Sequence, residues 1–405
     1  MKLLNKTIFT AFIFLLTIFT YSIFFYNMIE IKGVEIEKLI SHISRILLEL
    51  LCLFYLLSKR KVINTHFVKL VCVWILLMIP VCLIDYERAF VNATSVLFWP
   101  LIFLFFCSLI DSDPNHIKKA TTFFCCLFFL VVILYIGNVM DRNQGIENKL
   151  ASINRVYYLL LLAPWLLSVN NRTQRHIFLL ILVMCAFISA KRGAIVITLF
   201  ITLFYIGYLF FIESKKVLSK NNRSRKNRFW QLTIFLCLLS AGYIFFSKLE
   251  ARNDNYLLSR FESIEEDQGS GRFVIFKTVI EAQMNSSWEY WLIGHGNWAV
   301  KQDITVFNKS FSAHNDYLEI LYDYGIICLI LYFYIFIILF KRLKFLYKVR
   351  SDYFMGYSVG FIIFTIMPFL SPLVLYPTYF IYLTAYWGAM EAIIVDIEKK
   401  KSRMI

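Results

Sequence analysis

Three short groups of residues in this chain carry side chains able to hold an anion and move a proton. His314 stands within Ser312-Ala313-His314-Asn315-Asp316-Tyr317-Leu318-Glu319, Arg272 follows Gly269-Ser270-Gly271, and Lys191-Arg192-Gly193 interrupts an otherwise apolar run over 177–212. The pattern around His314 predicts a helix that starts at Ser312 or Ala313, runs to Tyr324 and is ended by Gly325. His314 then falls in the first turn, where the positive end of the helix dipole disfavours imidazolium. A histidine kept neutral can take a proton from a hydroxyl near pH 7. The plainer alternative is a polar first-turn residue satisfied by water. Asp316 reads as a favourable first-turn charge. Glu319, on the same side as Asn315, either orients a catalytic group or bonds locally.

Arg272 opens a helix expected over Arg272–Met284, in which Phe273, Phe276, Ile280 and Met284 recur at helical spacing. An arginine fork matches phosphate oxygens bidentately and stays charged where water is scarce. Beside free backbone N–H groups it makes a reasonable diphosphate cradle, and a snorkelling interfacial arginine is the competing reading. Lys191 and Arg192 sit at a tight hairpin at headgroup level, where charge is costly unless paired or wetted, and this makes both residues functional suspects. His295, in Ile293-Gly294-His295-Gly296, is a substrate contact or part of a tight turn. Asp111-Ser112-Asp113 has the spacing of a metal-binding sugar-nucleotide motif but no α/β domain around it, so no metal site is expected.

The elements that must position these groups are membrane spans. Of the 405 residues, 59% are hydrophobic, and apolar runs the length of a bilayer crossing recur from end to end. The expected fold is all-α: a polytopic integral membrane protein of about 12 transmembrane helices, with one large periplasmic loop containing short helices. Spans are placed near 8–28, 40–58, 67–84, 95–110, 121–139, 156–169, 177–190, 193–212, 231–247, 325–340, 353–370 and 378–395. The first reads as a span and not as a cleaved signal peptide, since it lacks a small-residue cleavage site. The parts follow as an N-terminal bundle (1–176), central helices with the Arg192 hairpin (177–247), a catalytic loop (248–324), and C-terminal helices with a basic tail (325–405).

The net charge of +15 is a topology signal and not a nucleic-acid signature. Lys and Arg concentrate on the sides this topology makes cytoplasmic, most densely over Lys215–Arg228, as positive-inside orientation demands. The nine cysteines lie in or at the ends of spans, which argues for apolar packing over disulfides or structural zinc. No internal repeat relates the two halves, and no second long loop mirrors 248–324, which weakens a transporter built from two repeats.

Arg-Gly at an outer hairpin, Gly-Ser-Gly-Arg opening a large outer loop, Gly-His-Gly, and His-Asn-x-x-Leu-Glu ahead of a Tyr-Gly re-entry occur in that order. This arrangement resembles the O-antigen ligase/polymerase superfamily of bacterial cell envelopes, over about residues 177–340. The resemblance implies a metal-independent, inverting glycosyltransferase of the inner membrane, without cofactor, acting on the periplasmic face. Its donor would be an undecaprenyl-diphosphate-linked oligosaccharide, and its acceptor either another glycan or lipid A-core. Membrane lipid surrounds it, a chain-length regulator protein is a conceivable partner, and nucleic acid is not expected. By the same resemblance, Arg192 and Arg272 hold the donor diphosphate and His314 activates the acceptor hydroxyl. Lys191, His295, Asn315 and Glu319 are supporting substrate-binding residues. The run from His314 to Gly325 looks more like polymerases than ligases, both of which remain open. A lipid-linked oligosaccharide flippase is the alternative of a different class; it predicts ionisable residues deep within helices and short outer loops.

Overall fold

The structure is a computed structural model, and it describes residues 2–24, 30–31, 34–59, 63–84, 88–144, 154–189, 191–210, 272–306 and 309–403. The expected span at 231–247, the basic stretch Lys215–Arg228 and the Gly269-Ser270-Gly271 approach lie outside these residues.

The chain runs through α1 (Lys2–Phe24), two short paired strands β1 (Glu30–Ile31) and β2 (Val34–Glu35), α2 (Ile36–Ser58), α3 (His66–Ile84), α4 (Ala89–Ser112), α5 (His116–Gln144), α6 (Val156–Leu167), α7 (Arg172–Ile188) and α8 (Arg192–Tyr208). Then come α9 (Arg272–Met284), α10 (Trp288–Ile293), α11 (Ala299–Asp303), the paired strands β3 (Thr305–Val306) and β4 (Lys309–Ser310), α12 (Asp316–Lys348), α13 (Phe354–Leu370) and α14 (Pro377–Ser402). Among the described residues, seven helices are long and apolar enough to cross a membrane, and α6, α8 and α13 are shorter apolar helices. Ten of the expected spans fall on these helices, and the one at 177–190 falls on α7, which is not among them. The protein is an all-α, multi-pass membrane protein.

Its interior is built where backbones can approach closely, which is how helices associate when lipid is as apolar as their side chains. In α14, a side chain at Gly388 would collide with the Phe103 carbonyl of α4, so the two helices touch main chain to main chain. Gly356 of α13 plays the same part against Pro164 and Ser168 at the end of α6. Every residue of α6 is buried, so this short helix is the axis around which the others pack. At the far end of the bundle, Arg342 makes a two-pronged bond to buried Glu391 (2.6 and 3.0 Å) and a further one to Glu398 (2.7 Å), tying α12 to α14.

A second, smaller core lies outside this bundle. Ile275 and Val279 of α9 pack with Ala299, Val300, Ile304, Val306, Ala313 and Tyr322. The α9 helix has the expected bounds, but its expected apolar stripe faces the other way. Phe273, Ile280 and Met284 are 69%, 48% and 67% exposed, while Ile275, Val279 and Gln283 are buried. Both stripes recur at three- and four-residue spacing, and periodicity alone could not choose between them. With Trp288 and Tyr290, the outward stripe forms an exposed apolar and aromatic surface of the kind that suits a membrane interface.

Candidate functional site

The site is built around the start of α12, and it differs there from expectation. The helix begins at Asp316, with Asn315 as its N-cap: the Asn315 side-chain oxygen accepts the N–H groups of Tyr317 (3.0 Å) and Leu318 (3.3 Å). His314 therefore precedes the helix, and the helix dipole is not what keeps it neutral. Its φ of 54° is left-handed, a conformation that costs a residue with a side chain on the order of 1–3 kcal/mol unless its surroundings impose it. The imposing contact is a hydrogen bond from the His314 backbone N–H to the Glu319 carboxylate at 2.9 Å.

Three buried carboxylates on one face of this helix each hold a different piece of chain. Asp316 accepts the N–H groups of Leu373 (2.8 Å) and Val374 (3.0 Å), from the connection between α13 and α14. Glu319 holds His314. Asp323 accepts Trp298 N–H (3.1 Å) and Val300 N–H (2.9 Å), at the start of α11. Spacings of three and four residues align all three carboxyl groups, and each satisfies backbone N–H groups of a neighbouring segment. Sequence reading assigned Asp316 to a first-turn dipole interaction and passed over Asp323. The spacing of these acids ahead of a membrane re-entry was the available signal.

Gly325 has φ 75° and ψ 177°, which breaks α12 and frees the carbonyls that precede it. The turn after α10 fills the gap: His295 N–H bonds the Tyr322 carbonyl (2.9 Å) and Gly296 N–H bonds the Asp323 carbonyl (3.0 Å). Gly294 (φ 81°) and Gly325 face one another so closely that a side chain on either would strike the other segment's backbone. Both positions therefore need glycine twice over, for conformation and for space.

The imidazole of His295 belongs to this joint. It stacks between Tyr290 (4.4 Å, 7°) and Tyr322 (4.1 Å, 7°). Its Nε2 meets Ser286 Oγ at 2.9 Å and its Nδ1 meets the Tyr322 carbonyl at 3.1 Å. With both faces and both nitrogens engaged, His295 is held as a structural pin. Asn315 likewise serves as a cap and Glu319 as a backbone acceptor, so all three have structural roles at the site.

His314 is brought together with the cations. Burial is the main cause that pushes its imidazole down to about 4 from the ordinary 6.5, and the charges of Arg272 and Lys191 lower it further. Histidine is thus neutral at pH 7, within electrostatic reach of Arg272, at the start of α9, and of Lys191, which adjoins the start of α8. Arg192 stands in the same turn, between Lys191 and Gly193. That turn packs against α6: an ideal Cβ on Gly193 would lie 2.7 Å from the Tyr157 hydroxyl and 3.3 Å from Leu370 Cβ. Helix α8 thus packs on α6 and α9 packs on α12, and Arg272 and Lys191 lie within electrostatic reach of a neutral histidine. Such a set can bind an oxyanion and accept a proton beside it.

A family model described as O-antigen ligase matches residues 177–333, the segment that runs from the hairpin cations through α12's break. Over that segment the chain is similar to O-antigen ligases. Among curated proteins, none matches the chain.

Proposed function

We propose that this protein is an inner-membrane glycosyltransferase whose donor is a glycan on undecaprenyl diphosphate, and that it polymerises polysaccharide repeat units at the periplasmic face. The observation that carries this reading is a half-buried, neutral His314 within electrostatic reach of Lys191 and Arg272, inside the matched segment. The acceptor hydroxyl attacks the anomeric carbon from the face opposite the diphosphate, with inversion. The bond from that carbon to the phosphate oxygen breaks, and undecaprenyl diphosphate leaves with the electron pair. His314 takes the hydroxyl proton. Arg192, Arg272 and Lys191 balance the charge that develops on the leaving diphosphate, a task cations fixed in a poorly hydrated site perform without reorganisation, so a divalent metal is not required. Bound diphosphate also offsets the two charges that depress His314 in the free protein, and makes it a better base when substrate is present.

Transfer to lipid A-core is the second reading, favoured by the family description itself. Glycan profiles of a deletion strain separate the two. Loss of a polymerase leaves lipid A-core bearing a single repeat unit, and loss of a ligase leaves bare core with polymer stranded on its carrier. An unchanged profile overturns both. A chain-length regulator is a partner compatible with the first outcome only.

A further inference from the structure

The hydroxyl of Tyr157 is buried, unpartnered and aimed at the turn that carries the hairpin cations. Tyr157 lies in the first turn of α6 and is 2% exposed. Its Oη makes no hydrogen bond; the Ser371 side chain lies beside it, short of bonding geometry, and Arg272 is within electrostatic reach. A buried hydroxyl without a partner is destabilising, so a hydroxyl retained there calls for an occupant. The 17-residue helix α8 begins at this point, with no side-chain cap from Lys191. Its leading N–H groups have no intrahelical acceptor and carry the positive end of its dipole. Gly193, second in the helix, is what leaves room for Oη: a Cβ there would come within 2.7 Å of it.

An O–H donor, a helix N-terminus and flanking cations share one ligand chemistry, that of a phosphate oxygen. We infer that Tyr157 is a substrate-binding residue that donates its hydroxyl hydrogen to the donor diphosphate, on the side of the site opposite His314's proton acceptance. Gly193 keeps the path between them open. This rests on the glycosyl-transfer reading above.

The test uses the full-length protein in nanodiscs. Binding of a short-chain polyprenyl diphosphate is titrated in the His314→Ala background, where turnover is expected to be at least about a hundredfold slower, and KM and kcat for the lipid-linked donor are measured with His314 intact. Tyr157→Phe removes one atom and leaves the ring in place against Tyr379. The expected result is a Kd and KM raised about tenfold or more, kcat changed far less, and thermal stability unchanged or slightly higher. Gly193→Ala, which crowds the same hydroxyl, should raise KM in the same direction. An unchanged Kd and KM in Tyr157→Phe, or a lowered melting temperature as its only effect, overturns the inference. If instead His314→Ala still transfers glycan, the glycosyl-transfer assignment of His314 fails, and that outcome is separate from the Tyr157 result.

Discussion

The Glu319 carboxylate accepts the backbone N–H of His314 at 2.9 Å and so holds the left-handed conformation, φ 54°, in which the imidazole lies within electrostatic reach of Arg272 and Lys191. Glu319, read from sequence as orienting a catalytic group or bonding locally, thus anchors the residue proposed as the base.

Glu319→Ala leaves that N–H without its acceptor, at a cost of about 1–3 kcal/mol, and releases His314 from its strained conformation. Transfer should fall by one to two orders of magnitude with donor affinity little changed, because the cations remain. Glu319→Gln keeps an acceptor oxygen and should recover most of the activity. A kcat and KM comparison of the two variants checks this.

The pH behaviour follows from the neutral histidine. His314 titrates near 4 in the folded protein against the ordinary 6.5. Between those values the unfolded chain binds a proton that the folded chain refuses. His314's contribution to stability is therefore complete above about 6.5 and is lost as pH falls towards 4. The acid limb of kcat/KM, which reports the free protein, should lie near that lower value. Lys191→Gln removes one of the depressing charges and should move the limb upward. A limb that stays in place in Lys191→Gln argues against the coupling.

The joint between Gly294 and Gly325 should tolerate no side chain. Either glycine replaced by alanine would drive a Cβ into facing backbone at a position whose φ is already positive. The expected outcome is protein that inserts but has lost the outer layer's packing, seen as protease sensitivity near 272–306. His295→Ala, by contrast, removes a pin and not a reactant. It should lower thermal stability by a few degrees and reduce transfer less than tenfold, a split that a substrate-contacting histidine would not show.

Much of this architecture was legible in the order of residues, and the reasons for the exceptions are physical. Span positions follow from hydrophobic length, which the bilayer makes nearly sufficient. The sequence reading groups Arg192, Arg272 and His314, because charge on the outer side of a membrane protein is seldom idle, and the residues within electrostatic reach of His314 include Arg272 and Lys191, the neighbour of Arg192. What was not legible were roles set by main-chain geometry. Gly325 could be read as a helix stop, but not the fact that its freed carbonyls are taken by His295 and Gly296. Asn315 and Glu319 have side chains equally suited to sugar and to backbone, and only the late helix start at Asp316 decides for backbone. Tyr157 carries no sequence signal at all, since a tyrosine at a helix end is ordinary at a membrane interface.

The most direct measurement is transfer of glycan from a purified polyprenyl-diphosphate-linked donor by the wild-type protein and by His314→Ala, with insertion, thermal stability and donor binding followed in parallel. General-base removal costs about 10²–10⁴ in rate, so the variant should insert, melt like wild type and bind donor, yet transfer at least a hundredfold more slowly. Transfer at the wild-type rate by a folded, donor-binding His314→Ala protein would contradict the role of His314 as the proton acceptor.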